Sequence, residues 1–197
     1  MNESLDGRTV IAGLVFYALL LGACLGAAVL WPAVAGVPWV VPDRIGTDIA
    51  MGLLAGGVVV AGSWVSVRWT ASGKRLADVL GRTLRGLPAW GSFPLALAAG
   101  VAEEAFFRGT LWTVIDAVAG SDVAWIATSV VFGLAHGMFR PGLRSWSAFA
   151  LGTGVLLGGL RLATGGILAP VVAHALVDAV NLPLVQRAGR RAGNPGK

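Results

Sequence analysis

Long, nearly continuous apolar runs dominate the pattern of hydrophobic and polar positions along the chain. Because a helix needs about 20 mainly apolar residues to cross the hydrocarbon core of a bilayer, such runs predict membrane spans. Six segments meet or approach that length: residues 9–31, 48–69, 92–115, 122–138, 145–162 and 165–185. The pattern predicts an all-α polytopic membrane protein with about six transmembrane helices, forming a single membrane-embedded domain over residues 1–197.

The amino-acid composition is also that of a membrane protein. Hydrophobic residues make up 56% of the chain and charged residues only 13%. This balance excludes an ordinary soluble domain and a disordered, highly charged chain. The one cysteine, Cys24, excludes an intrachain disulfide and a metal cluster held by cysteines.

The basic residues outside the spans predict the orientation, because cytoplasmic loops of membrane proteins are enriched in Lys and Arg. Two of them, Arg44 and Arg161, fall on one side, and twelve fall on the side of the N terminus. The twelve are Arg8, Arg68, Lys74, Arg75, Arg82, Arg85, Arg140, Arg144, Arg187, Arg190, Arg191 and Lys197. We therefore expect both termini in the cytoplasm, and we attribute the net charge of +5 to topology and anionic lipid contact, with no nucleic-acid partner. The 13 Arg against 2 Lys and the compact length favour the plasma (inner) membrane of a prokaryote.

Residues 74–87 alternate leucine and valine with basic residues between the second and third predicted spans. At helical spacing this pattern indicates a short helix on the cytoplasmic interface. A solvated basic loop is the alternative interpretation.

The third predicted span contains two carboxylates and a guanidinium, Glu103, Glu104 and Arg108. Three central charges cost roughly 7–10 kcal/mol on insertion scales, whereas the strongly apolar residues of this span return roughly 3–5 kcal/mol. The helix must therefore face a polar site in the bundle interior or a water-filled cavity. Ionisable residues within a membrane span are by default candidates for a functional site.

Helix geometry separates the roles of these three residues. Glu104 and Arg108 are four residues apart, in the favourable order for an ion pair on one face. Glu103 lies about 100° around the helix from Glu104. If Glu104 neutralises Arg108, Glu103 is left free to act as a general base or acid. The alternative is one buried ion-pair network of all three groups.

Both histidines of the chain, His136 and His174, fall near apolar spans in patterned surroundings. Phe132 lies one helical turn before His136, while Asp178 and Asn181 follow His174 along the same face of the sixth span. Each histidine alone is more typical of a hydrogen-bonded packing residue. The depths of these groups in the predicted topology allow them to meet Glu103 in one cavity that opens to the cytoplasm.

These residues resemble the motifs of the intramembrane glutamic protease family that includes type II CAAX prenyl endopeptidases and bacteriocin-processing enzymes, also called the Abi or CPBP family. The three motifs are a double Glu with Arg, a Phe with His, and a His with Asn or Asp. Here they are Glu103 to Arg108, Phe132 to His136, and His174 to Asp178, in the family's order. The motif-bearing core spans residues 92–185.

The resemblance implies hydrolysis of a peptide bond in a membrane-associated protein or peptide. Glu103 and His136 are expected to activate the attacking water, and His174 with Asp178 to stabilise the tetrahedral oxyanion. Since an ionised Asp178 repels an oxyanion, it must be protonated or orient His174, or Asn181 supplies the amide in its place.

The remaining motif residues have organising roles under the same resemblance. Glu104 is included among the candidate catalytic residues, although its expected part, like that of Arg108, is in the architecture of the site. Phe132 and Asn181 are candidate site-organising residues. No cofactor and no oligomeric state is predicted.

Other functions remain open on the sequence alone. A zinc enzyme is the nearest alternative, because Glu and His are zinc ligands, but the chain has no HExxH motif. A proton-coupled membrane transporter could use the same polar residues as a relay. A non-catalytic membrane scaffold or immunity protein is the third alternative.

Overall fold

The computed structural model describes residues 7–31, 39–84, 86–139 and 142–192, with side chains as far as residue 187. The described residues form helices and no strands, which confirms the all-α prediction. The α-helices are α1 (Gly7–Leu30), α2 (Ile45–Trp69), α3 (Ala71–Leu84), α4 (Ser92–Glu104), α5 (Trp112–Ala119), α6 (Ser121–Ala135), α7 (Arg144–Thr164) and α8 (Leu168–Ala192). A π-helical segment, Ala105–Leu111, joins α4 to α5 without a break, and short 3-10 turns precede α2 and α4.

Within the described ranges, four helices are long and apolar enough to cross a membrane, and they coincide with the first, second, fifth and sixth predicted spans. They are Gly7–Leu30, Pro42–Trp69, Arg144–Thr164 and Leu168–Arg187. The third predicted span lies in the continuous helix from α4 to α5, which carries the three charged groups, and the fourth lies in α6, which has 15 residues. The polytopic membrane fold is thus confirmed, while the number of six spans stays a prediction.

Close contacts at glycines define which helices run in the same direction. On α1, Val10 packs against Gly91 and Gly13 packs against Leu95, so α1 and α4 are parallel. On α2, Gly52 contacts Ala169 and, one turn later, Gly56 contacts Ala173, so α2 and α8 are also parallel. Small residues let these helix backbones approach closely, as is typical of helix packing in membranes.

Other helix pairs are antiparallel. Helix α4 crosses α8 where Gly100 touches Ala175, and further along Ser92 donates a hydrogen bond to Gln186 of α8. Helix α6 packs against α7 in the same antiparallel way, with Gly133 against Leu151. Helices α4, α6, α7 and α8 therefore surround one interior into which their polar side chains can project.

The basic segment after α2 is a helix, so the loop interpretation is wrong for residues 74–84. Its first turn is capped by Thr70, whose Oγ1 accepts the backbone N–H of Gly73 at 2.9 Å. The buried face of α3 carries the small residues Gly73, Ala77 and Gly81, and α3 packs on α8. Its basic side chains are exposed: Lys74, Arg75 and Arg82. The position of α3 at the membrane interface stays a prediction. Some of the basic residues used to predict the orientation lie outside the described residues: Arg85, Arg140 and Lys197, together with the side chains of Arg190 and Arg191.

Candidate active site

Arg108 is fully buried and has partners on three helical elements. Its Nη1 donates a hydrogen bond to Glu104 Oε1 at 2.9 Å, and its Nη2 donates to the backbone oxygen of Gly154 at 2.9 Å. The guanidinium carbon lies 4.6 Å from the centre of the Phe132 ring, a cation–π distance. The ion pair expected from the four-residue spacing is present, and Arg108 also ties the π-helical segment to α6 and α7.

Glu104 has a second partner that the sequence spacing did not predict. His174 Nδ1 lies 2.8 Å from the same Oε1 atom that accepts Arg108, and Glu104 is completely buried. A carboxylate paired with arginine accepts hydrogen bonds, so His174 Nδ1 carries the donated hydrogen. The other ring nitrogen, Nε2, lies 3.6 Å from Asp178 Oδ2. Glu104 therefore orients the ring of His174 and also neutralises the charge of Arg108.

Glu103 points into different surroundings from its neighbour and keeps 14% of its side chain exposed. Its Oε1 accepts a hydrogen bond from the hydroxyl of Tyr17 at 3.0 Å. Its Oε2 lies 3.7 Å from His136 Nε2 and has no hydrogen-bond partner among the residues that the structure describes. One oxygen of Glu103 is thus held, and the other faces a histidine.

The hydrogen bond on the far side of His136 determines what this histidine offers to Glu103. His136 Nδ1 lies 2.6 Å from the backbone oxygen of Phe132. Because a carbonyl oxygen has no hydrogen, Nδ1 must donate, and the Nε2 of a neutral ring is then an acceptor. Two acceptors do not hydrogen-bond to each other, but one water can donate a hydrogen to each of them. His136 and Glu103 therefore form a pair suited to hold and orient a water molecule.

Phe132 is at the centre of the cluster. Its ring centre lies 4.3 Å from that of His136, 5.6 Å from that of His174 and 5.0 Å from that of Phe107. The same ring supports the guanidinium of Arg108. Phe132 therefore sets the distance between both histidines and the buried ion pair, which is a site-organising role.

The helix that carries the carboxylates is not regular, contrary to the plain α-helix assumed from the sequence. Directly after Glu104 it widens into the π-helical segment Ala105–Leu111. Within this segment the backbone oxygen of Arg108 is reached by Arg161 Nε of α7 at 3.4 Å. Such wide turns insert an extra residue into the helix and are frequent at functional sites.

Asn181 does not share these contacts. Its Oδ1 accepts a hydrogen bond from Ser63 Oγ of α2 at 3.1 Å, so the contact found for this side chain is directed toward α2. Glu103, Glu104, Arg108, Phe132, His136, His174 and Asp178 form the connected cluster. The structure therefore brings together the other predicted site residues and leaves Asn181 at their edge.

Tyr17 is the site residue that the sequence reasoning missed. It lies on α1, in a span that had contributed no candidate residue, and it is the only tyrosine of the chain. A single phenolic hydroxyl in the middle of an apolar span was the available signal. Across the described residues no three His, Cys, Asp or Glu side chains are grouped to hold a metal ion.

Comparison with known proteins identifies the part of the chain that carries the cluster. No curated protein and no solved structure matches the chain. Residues 85–180, about half of the chain, match the family model described as type II CAAX prenyl endopeptidase Rce1-like. The match contains Glu103, His136, His174 and Asp178 and ends just before Asn181. Residues 85–180 thus form a type II CAAX prenyl endopeptidase Rce1-like family domain.

Proposed function

We propose that the protein is an intramembrane endopeptidase in which Glu103 and His136 activate the water that hydrolyses a peptide bond. The observation that carries the proposal is the 3.7 Å approach of Glu103 Oε2 to His136 Nε2. Both atoms are acceptors, and Oε2 has no hydrogen-bond partner among the described residues. A water bound by its two hydrogens keeps its lone pairs free for attack.

The proposed reaction begins when this water attacks the carbonyl carbon of the scissile peptide bond. Glu103 takes the proton that the water loses as the new C–O bond forms, which is general-base catalysis. The C–N bond of the tetrahedral intermediate then breaks, and the proton on Glu103 passes to the leaving amine. The products are a carboxylic acid and an amine, with no covalent intermediate on the protein.

His174 is the proposed donor to the oxyanion of the tetrahedral intermediate. Its Nδ1–H is occupied by Glu104, so it can serve the oxyanion only through an Nε2–H, in the doubly protonated ring. Asp178, 3.6 Å from that Nε2, then acts as an orienting counter-charge beside the ring. This arrangement favours an orienting role for Asp178 over a direct contact with the oxyanion. It leaves Asn181 outside the reaction.

The proposed substrate is a membrane-associated protein or peptide. The family to which residues 85–180 belong is named for CAAX prenyl endopeptidases, so a prenylated C-terminal peptide is the first substrate to examine. The cluster itself contacts only the reacting peptide bond in this mechanism. An unprenylated membrane-anchored peptide is therefore the necessary companion probe.

The test is cleavage by the purified protein in vesicles of phosphatidylethanolamine and phosphatidylglycerol. The probes are a farnesylated CAAX peptide, its unfarnesylated form and a set of single-span membrane peptides, with products identified by mass spectrometry. We expect cleavage of at least one probe by the wild-type protein and loss of cleavage in Glu103→Gln and His136→Ala. Equal cleavage by Glu103→Gln contradicts the mechanism.

Two further readouts address the other functions that the sequence left open. Activity that survives a zinc chelator supports the metal-free mechanism, and activity lost with the chelator and restored by zinc contradicts it. Proton flux across the vesicle membrane without cleavage of any probe favours a transporter. Absence of both flux and cleavage favours a scaffold.

A further inference from the structure

We propose that Tyr17 is a positioning residue for Glu103, holding one carboxylate oxygen so that the other stays directed at His136. The inference deepens the proposed function and rests on it. The contact that carries it is the hydrogen bond from the Tyr17 hydroxyl to Glu103 Oε1 at 3.0 Å. Tyr17 lies outside residues 85–180, so a helix beyond the family match completes the candidate site.

The packing of α1 against α4 brings Tyr17 to the level of Glu103 independently of their hydrogen bond. One contact lies at the start of α4, where a Cβ on Gly91 would come within 2.5 Å of Val10. One turn further, a Cβ on Gly13 would come within 2.8 Å of Leu95. These two close contacts restrict sliding of α1 along α4, and Tyr17 lies one helical turn beyond Gly13 on the same face of α1.

Packing beyond Tyr17 holds the other end of α1. Cys24 forms a buried apolar cluster with Ala105, at the start of the π-helical segment, and with Ile167. Helix α1 is therefore anchored on both sides of Tyr17. The phenol is presented by a fixed backbone, which is what a positioning group requires.

Tyr17 matters for Glu103 because it donates a hydrogen bond to the carboxylate. A glutamate side chain has three rotatable bonds, and its carboxylate must be oriented by donors if one chosen oxygen is to receive the proton. His136 cannot be that donor in its neutral form, because its Nδ1–H is given to Phe132 and its Nε2 is an acceptor. Among the described residues, the donor to Glu103 is the Tyr17 hydroxyl.

The neighbouring carboxylate, Glu104, is held by two nitrogen donors on one oxygen, while its Oε2, like that of Glu103, has no hydrogen-bond partner among the described residues. Glu104 Oε1 accepts from both Arg108 and His174. Glu103 has one hydroxyl donor in place of two nitrogen donors, and it differs from Glu104 in being 14% exposed and in facing the Nε2 of His136 with its second oxygen. Removal of the Tyr17 hydroxyl is therefore expected to disorder Glu103 without disturbing Glu104.

The kinetic test compares Tyr17→Phe with the wild-type protein, using the probe from the vesicle assay that is cleaved best. We expect kcat to fall roughly tenfold, the scale of a hydrogen bond to a charged group, with KM unchanged. The control is Leu19→Ala on the same helix, whose side chain is 69% exposed and which should keep the wild-type kcat. A Tyr17→Phe variant with wild-type kcat overturns the inference.

A spectroscopic test needs no substrate. Because the chain has a single tyrosine, labelling with tyrosine carrying 13C at Cζ gives one resonance that reports the state of its hydroxyl. We expect Glu103→Gln to move this resonance, since a charged acceptor becomes a neutral amide. Asp178→Asn removes a charge from the same site without removing the acceptor, and it should move the resonance much less.

The two tests separate this inference from the proposed function. A wild-type protein that cleaves no probe overturns the proposed function. If the wild-type protein cleaves a probe, but the Tyr17→Phe variant keeps the wild-type kcat or the Tyr17 resonance is unchanged in Glu103→Gln, the positioning role alone is overturned.

Discussion

The two adjacent glutamates, Glu103 and Glu104, are chemically identical yet lie in opposite surroundings. Glu104 is fully buried and bonded to Arg108 and His174, so its charge is committed to neighbouring side chains. Glu103 is partly exposed, receives one hydroxyl from Tyr17 and faces His136 across 3.7 Å. The comparison teaches that the hydrogen-bond and ion-pair partners of a carboxylate, rather than its residue type, determine whether it has a structural or a reactive role within one motif.

The largest expected effect on stability comes from replacing Glu104. In Glu104→Gln, Arg108 stays buried without a counter-charge, so the free energy of unfolding should fall by about 3–5 kcal/mol. Glu103→Gln is the matched control one position away, and its unfolding should stay within about 1 kcal/mol of wild type. Denaturant titration in detergent measures both. Equal destabilisation by the two substitutions contradicts the division between the glutamates.

Removal of both members of the buried ion pair, Glu104 and Arg108, should separate the effect on stability from the effect on cleavage. In the double variant Glu104→Leu with Arg108→Met, no unpaired charge remains, so most of the stability lost in Glu104→Gln should return. Cleavage should nevertheless stay at least about tenfold below wild type, because His174 has lost the acceptor that orients its ring. Recovery of both stability and cleavage would show that Glu104 has no part in orienting His174.

A smaller effect is expected at the helix contact that holds His174 near Glu104. In Gly100→Ala the new Cβ lies 2.9 Å from the backbone nitrogen of Ala175, so α8 must shift away from α4. We expect a loss of about 1–3 kcal/mol in the free energy of unfolding, together with slower cleavage. Gly57→Ala is the control, since a Cβ there meets no atom within 4 Å. Similar results for the two alanine variants would contradict this packing.

The smallest effect is expected at Asn181. Its described contact is with Ser63 of α2, so Asn181→Ala should change kcat less than about threefold, whereas Asp178→Asn should lower it by about tenfold or more. Cleavage kinetics in vesicles distinguish the two residues. The reverse order would assign the oxyanion contact to Asn181.

The fold was largely predictable because its signals are long and local. Apolar runs of membrane length predicted the four long apolar helices found among the described residues, and the four-residue spacing of Glu104 and Arg108 predicted their ion pair. The basic segment, open between a helix and a loop, is a helix whose buried face consists of small residues rather than leucines. The helices and the ion pair depend on residues that are close together along the chain, so they can be predicted from the sequence.

The rest of the site depends on contacts between distant residues. Tyr17 and Glu103 are 86 positions apart, and Glu104 and His174 are 70 positions apart, so no local pattern links either pair. The π-helical segment after Glu104 also contacts a distant helix, through Arg161 and the Arg108 carbonyl, and no local pattern indicated it. Sequence spacing therefore identified the motif residues but not how their hydrogen bonds are shared.

The most direct test of the account is the cleavage rate of folded Glu103→Gln protein in vesicles, measured beside wild type on the same probe. The substitution keeps the shape of the side chain and removes its capacity to accept a proton from water. We predict a fall in kcat of about 10²–10⁴-fold, the usual contribution of a general base, with unfolding unchanged. A stable variant that retains kcat within a factor of about three contradicts the assignment of Glu103 as the base.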